Sequence, residues 1–242
     1  MKRELTILTV FVAAAFAVLV SLGVWQLERL AWKEGLIAKI EARTQAEPVS
    51  LDAALKQWKN TGEVEYLRVR LSGAFLHQHE RHLFSVLKGK SGWHVVTPLE
   101  TPKGRIVMVD RGFVPMDLKF AEARISGNVD GERAYTGLAR APGTKDYFTP
   151  DNDVKANAWY WRDLESMAAF ESDRDDGKTL TPFFIELEES EVPGGWPKGG
   201  VTRVELPNKH LQYAGTWFGL AGGLLAVFGV FVFGRIRRRA FT

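Results

Sequence analysis

Two apolar runs at opposite ends of the chain constrain everything between them. Leu5 to Trp25 is 21 residues without a charge, and Leu211 to Gly234 is 24. As helices, both are long enough to cross a hydrocarbon layer about 30 Å thick. Cations flank the outer end of each run: Lys2 and Arg3 before the first, and Arg235, Arg237, Arg238 and Arg239 after the second. The positive-inside rule predicts a multi-pass membrane protein with both termini in the cytoplasm and the 185 residues from Gln26 to His210 on the far side. In a bacterial cell this means the inner membrane with the main domain in the periplasm. The first run exceeds a usual signal-peptide apolar core, and no small-x-small cleavage site follows it before Trp25-Gln26-Leu27-Glu28-Arg29, so it reads as an uncleaved anchor.

Charge then narrows the function classes. Of the net +3, the two ends contribute +5, which leaves −2 for Gln26 to His210. A slightly acidic domain with basic tails is not the footprint of a nucleic-acid protein. Cysteine is absent, which excludes disulfides, thiolate metal sites and cysteine nucleophiles.

Leu27, Leu30, Ile37 and Ile40 continue a helical period beyond Trp25, so the first helix is expected to reach about Arg43, before Pro48. A short helix over Ser50 to Trp58 follows, capped by Ser50 or Asp52. From Val64 the pattern alternates. Strands are expected at Tyr66–Leu71, Arg81–Leu87, Trp93–Leu99, Arg105–Asp110, Ala134–Ala139, Phe183–Leu187 and Val201–Leu206, with one helix at Asp163–Phe170. Gly112 is expected to end a strand at positive φ. The organisation is therefore a cytoplasmic N-terminus (1–4), a transmembrane helix (5–25) extended to about 43, a periplasmic β-rich domain (44–210), a second transmembrane helix (211–234) and a basic cytoplasmic tail (235–242). The fold class is a two-helix antiparallel transmembrane hairpin flanking an α+β domain built on a mostly antiparallel sheet or a small barrel.

On the second membrane helix Gly215, Gly219, Gly222, Gly223 and Ala226 form a stripe of small residues, and the first helix has Ala13, Ala17 and Ser21. Antiparallel depth pairs Ser21 with Gly215, Ala17 with Gly219 and Ala13 with Gly223, so these stripes are the expected contact. His210, Tyr213, Ala214, Trp217 and Ala221 then face away from the first helix.

His210 stands beside the second run at the depth where bilayer meets periplasm, with Tyr213 and Trp217 one and two turns deeper. Imidazole ligates haem iron and an aromatic face suits a porphyrin, although a histidine within an ordinary interfacial Tyr/Trp belt has the same pattern. His77, His79 and His82 raise zinc or copper, but on a strand only His77 and His79 share a face, and a polar hairpin end is the simpler reading. His94 reads as a sheet-face residue. Asp151, Asp153 and Asn157 fail as a calcium loop, and Gly194 to Gly199 lacks the Lys and Ser/Thr of a phosphate loop. Glu186, Glu188, Glu189 and Glu191 read as a solvated strand end. The sequence offers no convincing nucleophile–base pair, so an enzyme is not expected.

Several segments, in order between the two runs, resemble the surfeit locus protein 1 family of cytochrome c oxidase assembly factors. They are Gly23-Val-Trp-Gln-Leu-Glu-Arg-Leu30 with Lys33; Gly92-Trp-His-Val-Val-Thr-Pro98; Val109-Asp-Arg-Gly-Phe-Val-Pro115; Trp159-Tyr-Trp-Arg-Asp-Leu164 with Met167; Val192-Pro-Gly-Gly195; and Asn208-Lys-His-Leu-Gln-Tyr-Ala214 with Thr216-Trp217. The resemblance implies an inner-membrane factor that assists haem-copper oxidase assembly, binding haem a as cargo. It implies the oxidase catalytic subunit, haem a synthase and membrane lipid as partners, and it leaves homo-oligomerisation open. It implies His210 as axial ligand, with Tyr213 and Trp217 beside it. Lys209 stands where relatives often carry a polar or acidic residue. Arg29 and Arg203 are candidate partners for the haem propionates, with interfacial snorkelling as their simpler role. The alternative is a scaffold without haem, acting through a periplasmic surface around Arg111, Phe113 and Tyr160. A copper carrier built on His77, His79 and His82 is a third class.

Overall fold

The computed structural model describes residues 2–171, 177–201 and 207–240. The chain divides into two compact units, one of residues up to Lys39 together with those from Glu205 on, the other Ile40 to Val204.

The first unit holds the two long apolar helices. Helix α1 runs from Lys2 to Gln45, its last turn from Ile40 belonging to the second unit, and α4 from His210 to Ala240. Both are long and apolar enough to cross a membrane. Their contacts pair rising numbers in α1 with falling numbers in α4, as Leu19 lies near Gly223 and Gln26 meets His210. Among the better covered residues of α1, Val12, Phe16, Leu19, Gly23, Gln26, Leu30, Lys33 and Ile37 form a row alternately three and four apart, with Val20 and Leu22 beside it. Those of α4 repeat the spacing at His210, Ala214, Trp217, Ala221, Leu224 and Phe228. This is the heptad seam of two packed helices.

The seam corrects the expected one. Ala13, Ala17, Ser21, Gly215, Gly219, Gly222, Gly223 and Ala226 are exposed, and a methyl group added at any of these four glycines would meet nothing within 4 Å. Close approach is provided instead by Ala214 and Ala221, 1% and 3% exposed, and by Gly23, whose missing side chain leaves room for the Phe218 ring. Gly219 and Gly223 only line an apolar groove of about 700 Å³ at the flank of the seam.

The second unit is a mixed β domain. Ser50 caps helix α2 (Leu51–Thr61), its hydroxyl accepting from the Ala53 N–H at 3.2 Å, and Gly62 closes the helix in the left-handed conformation. The strands are β1 (Val49–Ser50), β2 (Arg68–Phe75), β3 (Arg81–Leu87), β4 (Lys90–Glu100), β5 (Arg105–Pro115), β6 (Arg133–Arg140), β7 (Thr179–Leu180) and β8 (Phe184–Leu187). Their order is β1-β2-β6-β8-β5-β4-β3, with β7 also on β5. A further pairing of Ala74 with Glu100 and Phe75 with Leu99 joins β2 to β4, so β2, β6, β8, β5 and β4 close a ring. Antiparallel pairs dominate, while β1–β2, β5–β7 and β5–β8 are parallel. The expected strand at Val201–Leu206 lies, beyond Val201, outside the described residues.

Alternation divides strands β4, β5 and β8 between two cores. Val69, Leu71, Leu99, Val107, Val109 and Ile185 pack with Phe183 under α2, through Leu51 and Ala54. Their neighbours Met108 and Phe184 face the other way and pack with Val96 and Trp159 under α3 (Leu164–Met167), which Asp163 caps. From Ile106 to Val109, strand β5 is therefore apolar and buried on both faces.

Strand β5 does not end at Gly112. His94 pairs with Phe113 and Val96 with Asp110, so Arg111 and Gly112 together oppose Val95 in a bulge. Gly112 has φ +115, and a side chain there would strike the Lys198 carbonyl of the segment that pairs with Phe113. The extra residue brings Asp110 onto the face of His94, where imidazole Nδ1 lies 2.7 Å from Asp110 Oδ2.

Candidate functional site

Gln26 and His210 come together where α4 begins. Gln26 sits on the α1 seam and is only 9% exposed, a polar side chain enclosed by the helix pair. Its carbonyl Oε1 lies 2.7 Å from His210 Nδ1. An amide oxygen cannot donate, so the ring nitrogen carries the proton, and a neutral imidazole then has its lone pair on Nε2. No partner engages Nε2 among the described residues. The backbone before the helix is also held: Asn208 Oδ1 accepts from the His210 N–H at 3.3 Å, and the Lys33 ammonium, two turns beyond Gln26, donates to the Pro207 carbonyl. Three side chains thus fix the position of one histidine and the state of one ring nitrogen.

His210 was expected to face away from the first helix, and the structure reverses this. The seam passes through His210, Ala214, Trp217 and Ala221, so His210 and Trp217 share the helix-facing stripe while Tyr213 projects from its side, half exposed. Arg29 is exposed and lies over the Trp32 ring at 4.5 Å. Arg203 lies outside the described residues. Gln26 is the site residue that sequence reasoning missed; its signal was an amide among apolar residues on a heptad stripe.

The other candidates have separate environments. His77 to His79 form a 3₁₀ turn, not part of a strand, and only His82 is on β3. His77 bonds Val129 O and Arg111, His79 stacks on Phe170, and His82 bonds Glu80. No cluster fit for a metal ion occurs among the described residues. His94 is a sheet-face residue, as expected. Glu186 is not solvated: it is 4% exposed and accepts from Arg140 and Arg162. Arg111 and Phe113 are buried and offer no docking surface, since Arg111 donates inward to Gly127 O and Asn128, whereas Tyr160 is exposed. Burial pushes the Arg111 guanidinium down to about 10, with Arg124 adding to the effect.

Residues 13–222 match the SURF1 family, a span that includes both Gln26 and His210. The chain belongs to this family. It is 39% identical over 218 residues to surfeit locus protein 1 of Homo sapiens, covering 83% of this chain and 69% of the relative. The Mus musculus protein of the same name is 38% identical, over 82% and 67%. A SURF1-like protein of Monosiga brevicollis is 33% identical, over 85% and 80%.

Proposed function

We propose that this SURF1-family protein is a bacterial inner-membrane assembly factor for haem-copper terminal oxidases that carries haem a on His210. The observation that carries the reading is the bond from His210 Nδ1–H to buried Gln26. Histidines that ligate metals characteristically donate their other ring N–H to a carbonyl or carboxylate, which fixes the tautomer and raises ligand basicity. The donor set therefore fits haem iron, for which Nε2 is the ligand atom. Haem supplies the iron and the hydrophobic macrocycle; the chain orients one imidazole and leaves release possible with a single axial bond.

The apolar exterior supports a membrane location. Val10, Phe11, Val227, Val230 and Phe233 are all more than 60% exposed, an array that favours lipid over water. With cations at the outer ends of both helices, α1 and α4 span as an antiparallel hairpin, both termini are cytoplasmic, and His210 lies near the periplasmic surface. In this reading Tyr213, on the exposed side of α4, and Trp217, beside it on the seam, are the aromatic neighbours of the haem, and exposed Arg29 is a propionate partner, a role proposed from the sequence alone for Arg203. The partners are the oxidase catalytic subunit and the enzyme that makes haem a, and the role is delivery without catalysis.

Complementation separates carriage from scaffolding. In cells lacking this chain, His210→Ala is expected to leave the oxidase short of haem a while Tyr160→Ala restores assembly. Full haem a in the oxidase with His210→Ala and a loss with Tyr160→Ala would establish the scaffold instead.

A further inference from the structure

A cavity of about 320 Å³ opens on the β domain, lined by Leu83, Phe84, Ser85, His94, Tyr160 and Arg162, among others. We propose that it binds a small organic carboxylate, its head on His94 and Arg162 and its apolar body on Phe84 and Tyr160. The site is distinct from His210 and independent of haem carriage.

Both side chains are backed from behind by a carboxylate. His94 commits Nδ1 to Asp110, which is 2% exposed and also accepts the Gly112 N–H at 2.9 Å. Arg162 commits Nη2 to Glu186. Neither His94 Nε2 nor Arg162 Nη1 has a partner among the described residues, and Arg162 Nε is buried without one. The carboxylates lie in the interior, while His94 and Arg162 are the more exposed members of each pair and line the cavity. Unengaged N–H donors on charged side chains are suited to an oxyanion. Burial opposes charge on His94, but the Asp110 carboxylate outweighs it and holds the imidazole above its usual value, which favours the protonated ring whose Nε2–H can donate.

The walls select the body. Phe84 and Tyr160 are both partly exposed, with ring centroids 6.0 Å apart, and Phe84 packs edge-on to Trp93 at 5.6 Å. The volume is at the small end of ligand cavities, enough for a single ring and its carboxylate.

Benzoate titrated into the full chain in detergent, with the imidazoles ¹⁵N-labelled, tests this. Saturable perturbation of the His94 ring resonance is expected, with acetate and inorganic phosphate binding more weakly. His94→Gln is expected to weaken benzoate by about tenfold or more, the loss of a charged hydrogen bond. Tyr160→Ala, at an exposed wall, is expected to bring benzoate down towards acetate. No saturable change at His94, phosphate binding more tightly than benzoate, or unchanged benzoate affinity in Tyr160→Ala would each overturn the proposal. The Tyr160→Ala result decides even where His94→Gln does not fold.

Discussion

Gln26→Leu isolates the contact on which the proposed haem carriage rests. Leucine roughly preserves volume on the α1 seam, so the helix contact should survive while the acceptor of the 2.7 Å bond to His210 Nδ1 is lost. The imidazole then rotates freely and samples both tautomers, only one of which leaves Nε2 unprotonated. Removing such a partner typically weakens metal affinity about 10–100-fold, or roughly 1.4–2.7 kcal/mol. The assay is titration of haem a into the detergent-purified chain, followed in the Soret band. The expected result is an affinity lowered by that factor, with a protein-bound spectrum still reached at high haem. Wild-type affinity in Gln26→Leu would refute the claim that Gln26 prepares the ligand.

Other perturbations test the fold that presents the site. The His94–Asp110 pair makes stability depend on pH from both sides. Asp110, held low by His94 despite burial, contributes stability that is lost as pH falls through its folded value, and His94, held high, contributes stability lost as pH rises through its own. Melting temperature should therefore decline above the unfolded histidine value near 6.5, and His94→Gln should remove that decline. Phe183→Ala, at a fully buried ring beneath α2, is expected to cost about 3–5 kcal/mol, read as a lowered melting temperature. On α4, Ala221→Leu should weaken the helix pair and Gly219→Ala should not, by thermal stability in micelles; the reverse order would restore the glycine stripe as the contact.

Local chemistry was legible wherever it acts within a few residues. Ser50 capped its helix as expected, alternation placed β3 at Arg81–Leu87, and the helical period carried α1 past Arg43 to Gln45. What failed depended on partners. Both faces of α4 carry small residues, and periodicity gives the angle of each stripe without saying which one meets α1; the Gln26–His210 bond belongs to the Ala214–Ala221 stripe. Gly112 was correctly read as positive φ but as an end and not a bulge, because only the pairing of β4 with β5 reveals the extra residue. Glu186 looked solvated because its partners Arg140 and Arg162 are 46 and 24 residues away. His210 stands out in the sequence by its place beside an apolar run; Gln26 shows there only as an amide on an apolar stripe, and its bond to His210 is visible only in three dimensions.

The most direct test of haem carriage is the visible spectrum of the detergent-purified chain, co-expressed with the enzymes of haem a synthesis, for wild type and His210→Ala. The account predicts haem a in the wild type and its loss in the variant. Equal haem in both would move the ligand away from His210, and no haem in either would contradict carriage altogether.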